Sequence, residues 1–196
     1  MQNTTCERLL DMLLIALIAA PAVSAAAAPQ GNTDTDTAAI ERGRYIVNTS
    51  GCHDCHTPWI DGPSGPGPDM SRALSGHPET EKVAVPAMLP PPWVMAGTTT
   101  NTAYYGPWGV SFTANLTPDR ETGLGKWSSK MFIETIRNGR HKGRGREILP
   151  PMPILVYRNF TDEDLAAIFA YLQTIPAVQN KVPEPLAPAE FVTSTD

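Results

Sequence analysis

The sequence predicts an all-α chain, a few helices joined by long loops rich in proline and glycine. Three observations carry that expectation. Apolar residues recur at helical spacing in three separated segments, near 38–49, 128–138 and 161–175. The chain holds 20 prolines and 15 glycines, and nine of the prolines fall between Thr57 and Thr100, where no periodicity is seen. At 196 residues with 41% hydrophobic content, it is long enough for one core and too apolar for wholesale disorder.

The first helix is expected from Ala38 to Thr49, with Tyr45, Ile46 and Val47 on its apolar side and Gly43 at its middle. The second runs from Ser128 to Asn138, with Trp127 before it, Phe132, Ile133 and Ile136 facing inward, and Gly139 at the C-cap position. The third is the strongest. Thr161 is its natural N-cap, and Asp162, Glu163 and Asp164 suit the dipole of the first turn. Leu165, Ile168, Phe169, Leu172 and Ile175 follow at spacings of three and four, and Pro176 stops it. The run Met88–Trp93, with three consecutive prolines, should be extended and surface-lying. The tail from Val182 is expected to be extended and marginally ordered. No internal repeat is present.

Ahead of the helices, Leu13–Ala20 has the character of a secretory h-region and Val23-Ser24-Ala25 that of a cleavage site. Residues 1–25 are therefore expected to be a signal peptide and 26–37 a polar leader, with the protein exported to the periplasm. The competing reading is an uncleaved membrane anchor, although the apolar run falls short of the roughly 20 residues that a span needs. A net charge of -5 argues against nucleic acid as a partner.

Cleavage would remove Cys6 and leave Cys52 and Cys55 as the cysteines. They sit in Gly51-Cys52-His53-Asp54-Cys55-His56, which contains C-x-x-C-H, the attachment signal for c-type haem. Two thiols at this spacing can each form a thioether with a vinyl group, and the next histidine then serves as proximal iron ligand. A thioredoxin-like dithiol would be expected beside a βαβ pattern, and none is visible. Half of a zinc site would need a second ligand pair, and no cysteine remains for it. His53 is expected to be a solvent-facing spacer.

On these residues the sequence resembles class I cytochrome c. The similarity extends through Asp69–Arg72, Leu74–Pro78, Gly106–Gly109, Ala114–Asp119, Gly123–Trp127 and Leu149–Pro153 to exported bacterial monohaem cytochromes. Parts of it also resemble the haem domains of cytochrome subunits that serve alcohol and sugar-acid dehydrogenases. The resemblance spans residues 38–185, the expected cytochrome c domain, and leaves 186–196 as a flexible tail. It implies a cytochrome c-like fold around one covalently bound haem. It also implies that Gly43 lets the last helix cross closely and that the distal methionine lies on the loop before that helix.

Met152 fits that place, flanked by Pro150, Pro151 and Pro153, although its 96-position separation from His56 exceeds that of the smallest members. Rigid neighbours leave the thioether little entropy to lose on ligation. The other candidates are Met70, Met88, Met95, Met131, His77 and His141. Iron held by His56 and Met152 has a raised potential and no free position, which suits electron transfer with redox protein partners, a dehydrogenase or a terminal oxidase. The alternative is a haem enzyme or gas-binding sensor with an open or labile distal site. Arg137, Arg140, Lys142, Arg144 and Arg146 form a local basic segment suited to docking an acidic redox partner. Arg137 or Arg140 is also a candidate to pair with a haem propionate, as are the four tryptophans. Asn115 is expected to fix local backbone.

Overall fold

A computed structural model describes residues 31–85 and 88–188. The expected signal peptide lies outside the described residues. Among the described residues, no helix is long and apolar enough to cross a membrane.

Among the described residues there are five α-helices: α1 (Gly31–Thr49), α2 (Cys52–His56), α3 (Ser129–Asn138), α4 (Ile154–Tyr157) and α5 (Asp162–Leu172). The caps behave as local chemistry dictates. Ser128 accepts from Met131 N at 3.2 Å, and Thr161 Oγ1 accepts from Asp164 N at 3.1 Å. Gly139 closes α3 in the left-handed region, at φ 63°.

Helix α1 begins at Gly31, so much of the expected polar leader is helical. Extending a helix outward from a packed segment is easy once it is nucleated, because each further residue gains a hydrogen bond. Ile46 and Val47 are buried as expected, whereas Tyr45 is exposed and carries Arg42 over its ring at 5.8 Å.

The core lies where α1 and α3 meet α5. Phe132 and Phe169 pack at 5.7 Å between ring centroids, with Ile46, Val47, Leu165 and Leu172 around them. At Gly43, α1 passes so close that a Cβ would stand 1.9 Å from the Ala167 carbonyl oxygen. Any side chain there would separate the two helices, and the close crossing implied by the family resemblance is present.

The all-α expectation needs correction. Strands β1 (Trp59–Gly62) and β2 (Gly65–Pro68) form a hairpin, and β3 (Ala96–Gly97), β4 (Ala103–Gly106) and β5 (Gly109–Phe112) form an antiparallel sheet. These strands are four residues or shorter, too short for alternating hydrophobicity to declare itself. Around Pro107-Trp108, however, the two glycine-bounded runs do carry a two-residue hairpin signal.

The tail also departs from expectation. Leu186 exchanges two backbone hydrogen bonds of 2.9 Å with Val110, so it adds a bridge to β5. Gly109, at φ 91°, admits it: a Cβ there would lie 2.0 Å from the Leu186 oxygen. The rest of the expected flexible tail, 189–196, lies outside the described residues. The Met88–Trp93 run is largely exposed, as expected.

Candidate functional site

Gly51 takes a left-handed turn at φ 75° and starts the short helix α2. One helical turn places positions i, i+3 and i+4 on one side. Cys52, Cys55 and His56 accordingly face together onto a cavity of about 440 Å³. Both cysteines are free thiols. The inner wall is apolar, built from Ile46 and Val47 of α1, Phe132 and Ile136 of α3, and Leu165 and Ile168 of α5.

His56 is buried and its ring has one fixed role. Nδ1 lies 2.8 Å from the Ala114 carbonyl oxygen, which can only accept, so Nδ1 carries the proton. Nε2 then holds the lone pair, the arrangement that metal-binding histidines use. Burial lowers the imidazole pKa, partly opposed by the bond to Ala114, and this favours the neutral ring that ligation requires. Burial also pushes the Cys52 thiol up to about 11.

Met152 is half-buried on the same cavity wall, packed against the core. Its loop is tied down on both sides. Ser111 Oγ donates to the Pro150 carbonyl at 2.6 Å, and Ile154 N donates to the Met152 oxygen at 2.8 Å.

The other ligand candidates separate clearly. Met70, Met88 and Met95 are exposed, and neither they nor Met131 line the cavity. His77 is fully buried elsewhere, with Thr102 Oγ1 at Nδ1 (2.9 Å) and the Glu81 carbonyl at Nε2 (3.2 Å). His141 does line the cavity, its ring edge-on to Trp127 at 5.3 Å.

Several smaller expectations are corrected. His53 is half-buried, with Nδ1 2.9 Å from Thr57 Oγ1, and is not a solvent-facing spacer. Neither Arg137 nor Arg140 lines the cavity. Arg137 instead ties the end of α3 to the start of α5, donating to Asp162 and to the Phe160 and Arg158 carbonyls. Arg140 bonds the Gly145 carbonyl at 3.0 Å. The cations at the cavity are Lys142, Arg146 and Lys181, with Arg146 paired to Glu184 at 3.2 Å. Lys181 and Glu184 belong to the segment before the Leu186 bridge, which sequence reasoning missed because only long-range pairing brings it to the site.

Of the four tryptophans, Trp127 alone reaches the cavity. Asn115 fixes backbone as expected: its Nδ2 donates to the Val178 carbonyl at 2.8 Å and its Oδ1 accepts from Thr117 N at 3.0 Å.

This donor set suits the expected haem: two free thiols and an unprotonated imidazole nitrogen on one helical turn, with a thioether on the same apolar wall. It does not suit zinc. Among the described residues, no three His, Cys, Asp or Glu side chains come together in a way that could hold a metal ion.

No family model matches the chain. It is 29% identical over 154 residues to the cytochrome c subunit of the quinone alcohol dehydrogenase of Gluconobacter oxydans, covering 77% of this chain and 25% of that protein. It is 25% identical over 154 residues to the fructose dehydrogenase cytochrome subunit of Gluconobacter japonicus, covering 76% of this chain and 25% of that protein. A shorter span of 65 residues is 38% identical to the gluconate 2-dehydrogenase cytochrome c subunit of Pantoea cypripedii, covering 33% of this chain and 14% of that protein. The chain thus spans a quarter or less of the length of these relatives. With its C-x-x-C-H turn facing an apolar cavity, it is a chain similar over most of its length to the cytochrome c subunits of dehydrogenases.

Proposed function

We propose that this chain is an exported, periplasmic c-type cytochrome that carries single electrons between redox partners. One haem c is attached through Cys52 and Cys55, and its iron is held between His56 Nε2 and Met152 Sδ. The observation that carries the reading is the meeting on one apolar-walled cavity of Cys52, Cys55 and His56 with Met152, 96 positions beyond His56. The cytochrome c subunits among its relatives support electron transfer and a dehydrogenase as one partner. A terminal oxidase is the other class of partner, and membrane association would require the N-terminal segment to stay uncleaved.

Bound haem supplies a one-electron couple at iron. The chain's own residues shape the conditions for it. The Ala114 carbonyl holds the His56 ring in one tautomer and orientation. The Ser111–Pro150 bond and the flanking prolines hold Met152 with little freedom to leave. The apolar wall excludes water, which disfavours the more highly charged oxidised state. Lys142 and Arg146 supply cations suited to the carboxylates of a porphyrin. Exposed Arg144 lies in the same segment and suits an acidic docking partner.

The test is an absorption spectrum of the purified protein, oxidised and reduced, before and after carbon monoxide. A c-type reduced spectrum, a weak far-red methionine-to-iron band and indifference to carbon monoxide are expected. Met152→Ala should abolish the far-red band and open the iron to carbon monoxide. A band that survives Met152→Ala moves the assignment to another methionine, and one missing in the wild type moves it to His141, which shares the cavity. A wild-type spectrum that shifts with carbon monoxide favours the gas-binding or catalytic alternative.

A further inference from the structure

The turn between β3 and β4 reaches back onto the C-x-x-C-H helix. Asn101 Nδ2 donates to the Asp54 main-chain oxygen at 2.8 Å, an oxygen that also accepts from Trp59 Nε1 at 3.0 Å. Trp59 N in turn donates to the Thr100 carbonyl at 2.9 Å. At the head of β4, the buried Tyr104 hydroxyl stands 3.2 Å from Cys55 Sγ. Asn101 holds that hydroxyl in place, with its main-chain oxygen at 2.8 Å and its Oδ1 at 2.9 Å. Asn101 sits at φ 53°, a left-handed conformation that asparagine tolerates, and this directs both oxygens at one phenol.

The hydroxyl has one proton and three neighbouring acceptors. The Tyr104 O–H donates towards Cys55 Sγ at 3.2 Å and shares its proton with the two Asn101 oxygens. A thioether sulfur has no proton, so in the attached protein it can only accept. Among the described residues, no side-chain hydroxyl stands on Cys52 Sγ. The two attachment sulfurs are therefore inequivalent, and the difference is imposed by a segment far from the motif in sequence.

We propose that Tyr104 is a positioning residue for the Cys55 attachment, orienting its sulfur and donating a hydrogen bond to the thioether once haem is bound. The inference rests on the haem reading above. A donor on that sulfur withdraws electron density from the porphyrin edge and favours the reduced state.

The test is resonance Raman spectroscopy of the holoprotein in the carbon–sulfur stretching region, with a redox titration alongside. Tyr104→Phe keeps the ring and removes the donor. One of the two carbon–sulfur bands should shift and the other stay. The ferrous-to-ferric ratio at fixed applied potential should fall about threefold. Transfer of the wild-type holoprotein to heavy water should shift the same single band, a readout that does not require the variant to fold. Unchanged bands and potential in Tyr104→Phe, or no isotope effect in the wild type, would overturn the role even if stability fell. A wild-type protein that binds no haem would overturn the reading beneath it instead.

Discussion

The helices and the segment from Thr57 to Phe112 are held together by different forces. Helices α1, α3 and α5 meet through apolar side chains, and at Gly43 the backbone comes nearly into contact. The other segment buries few large apolar groups and many polar ones, among them Thr57, Ser75, His77, Thr102 and Ser111. Each is tied to backbone or to another side chain. Thr57 Oγ1 accepts from Leu74 N at 2.9 Å, and Asn180, arriving from beyond α5, donates to the Ser75 and His77 carbonyls at 2.7 and 2.9 Å. Apolar packing is non-directional and tolerates exchange among similar residues, whereas a buried polar bond fails outright when one partner is lost. His56 stands immediately before the polar segment, and Ala114, just past its end at β5, fixes the His56 ring.

The largest effect should come from the helical frame. Gly43→Ala places a methyl group against the Ala167 carbonyl and should cost about 3 kcal/mol, read as a lower denaturation midpoint with an unchanged slope. A mild result there would mean that α1 and α5 can slide apart and that their close approach is incidental.

Asn180→Ala should come next, at about 2 kcal/mol, because it strands the Ser75 and His77 carbonyls and the Glu79 N–H in a buried site. Hydrogen exchange checks where the loss falls: amides of 74–80 should lose protection before those of α5. Uniform loss would erase the distinction between the two regions.

Ser111→Ala tests the tie between the sheet and the Met152 loop. It frees the Pro150 carbonyl and should cost about 1 kcal/mol while weakening the far-red methionine band. Loss of stability with an intact band would separate the sheet from Met152.

The smallest effect concerns the exposed face of the frame. Arg42 holds the Asp164 carboxyl below the usual carboxylate range through a hydrogen bond of 2.8 Å, so its contribution is complete above that range and is lost as pH falls through the lowered value. Asp164→Asn should flatten that part of the acid unfolding curve. An unchanged curve would show that the pair adds nothing measurable.

Much of the frame was legible because its signals are local. Thr161, Ser128 and Gly139 act within one turn, and the apolar spacing of α5 repeats within its own length. Met152 stood out for a different reason, since its prolines restrict the chain wherever it goes. What escaped the sequence depends on distant partners. Tyr104 reaches Cys55 across 49 positions, and Asn180 reaches Ser75 across 105. Arg137 and Arg146 are alike in sequence, yet α5 captures the first and leaves the second at the cavity.

By itself the sequence determined the C-x-x-C-H turn, because three and four positions on a helix already place Cys52, Cys55 and His56 on one side. It determined the caps for the same local reason, whereas the close crossing at Gly43 was implied by the family resemblance and depends on Ala167, 124 positions away. The tertiary structure alone decided which nitrogen of His56 is free, which candidates face the cavity and which cations stand beside it. Those outcomes follow from backbone groups and side chains brought together by folding, and a polar bond between distant residues leaves no periodic trace in either segment.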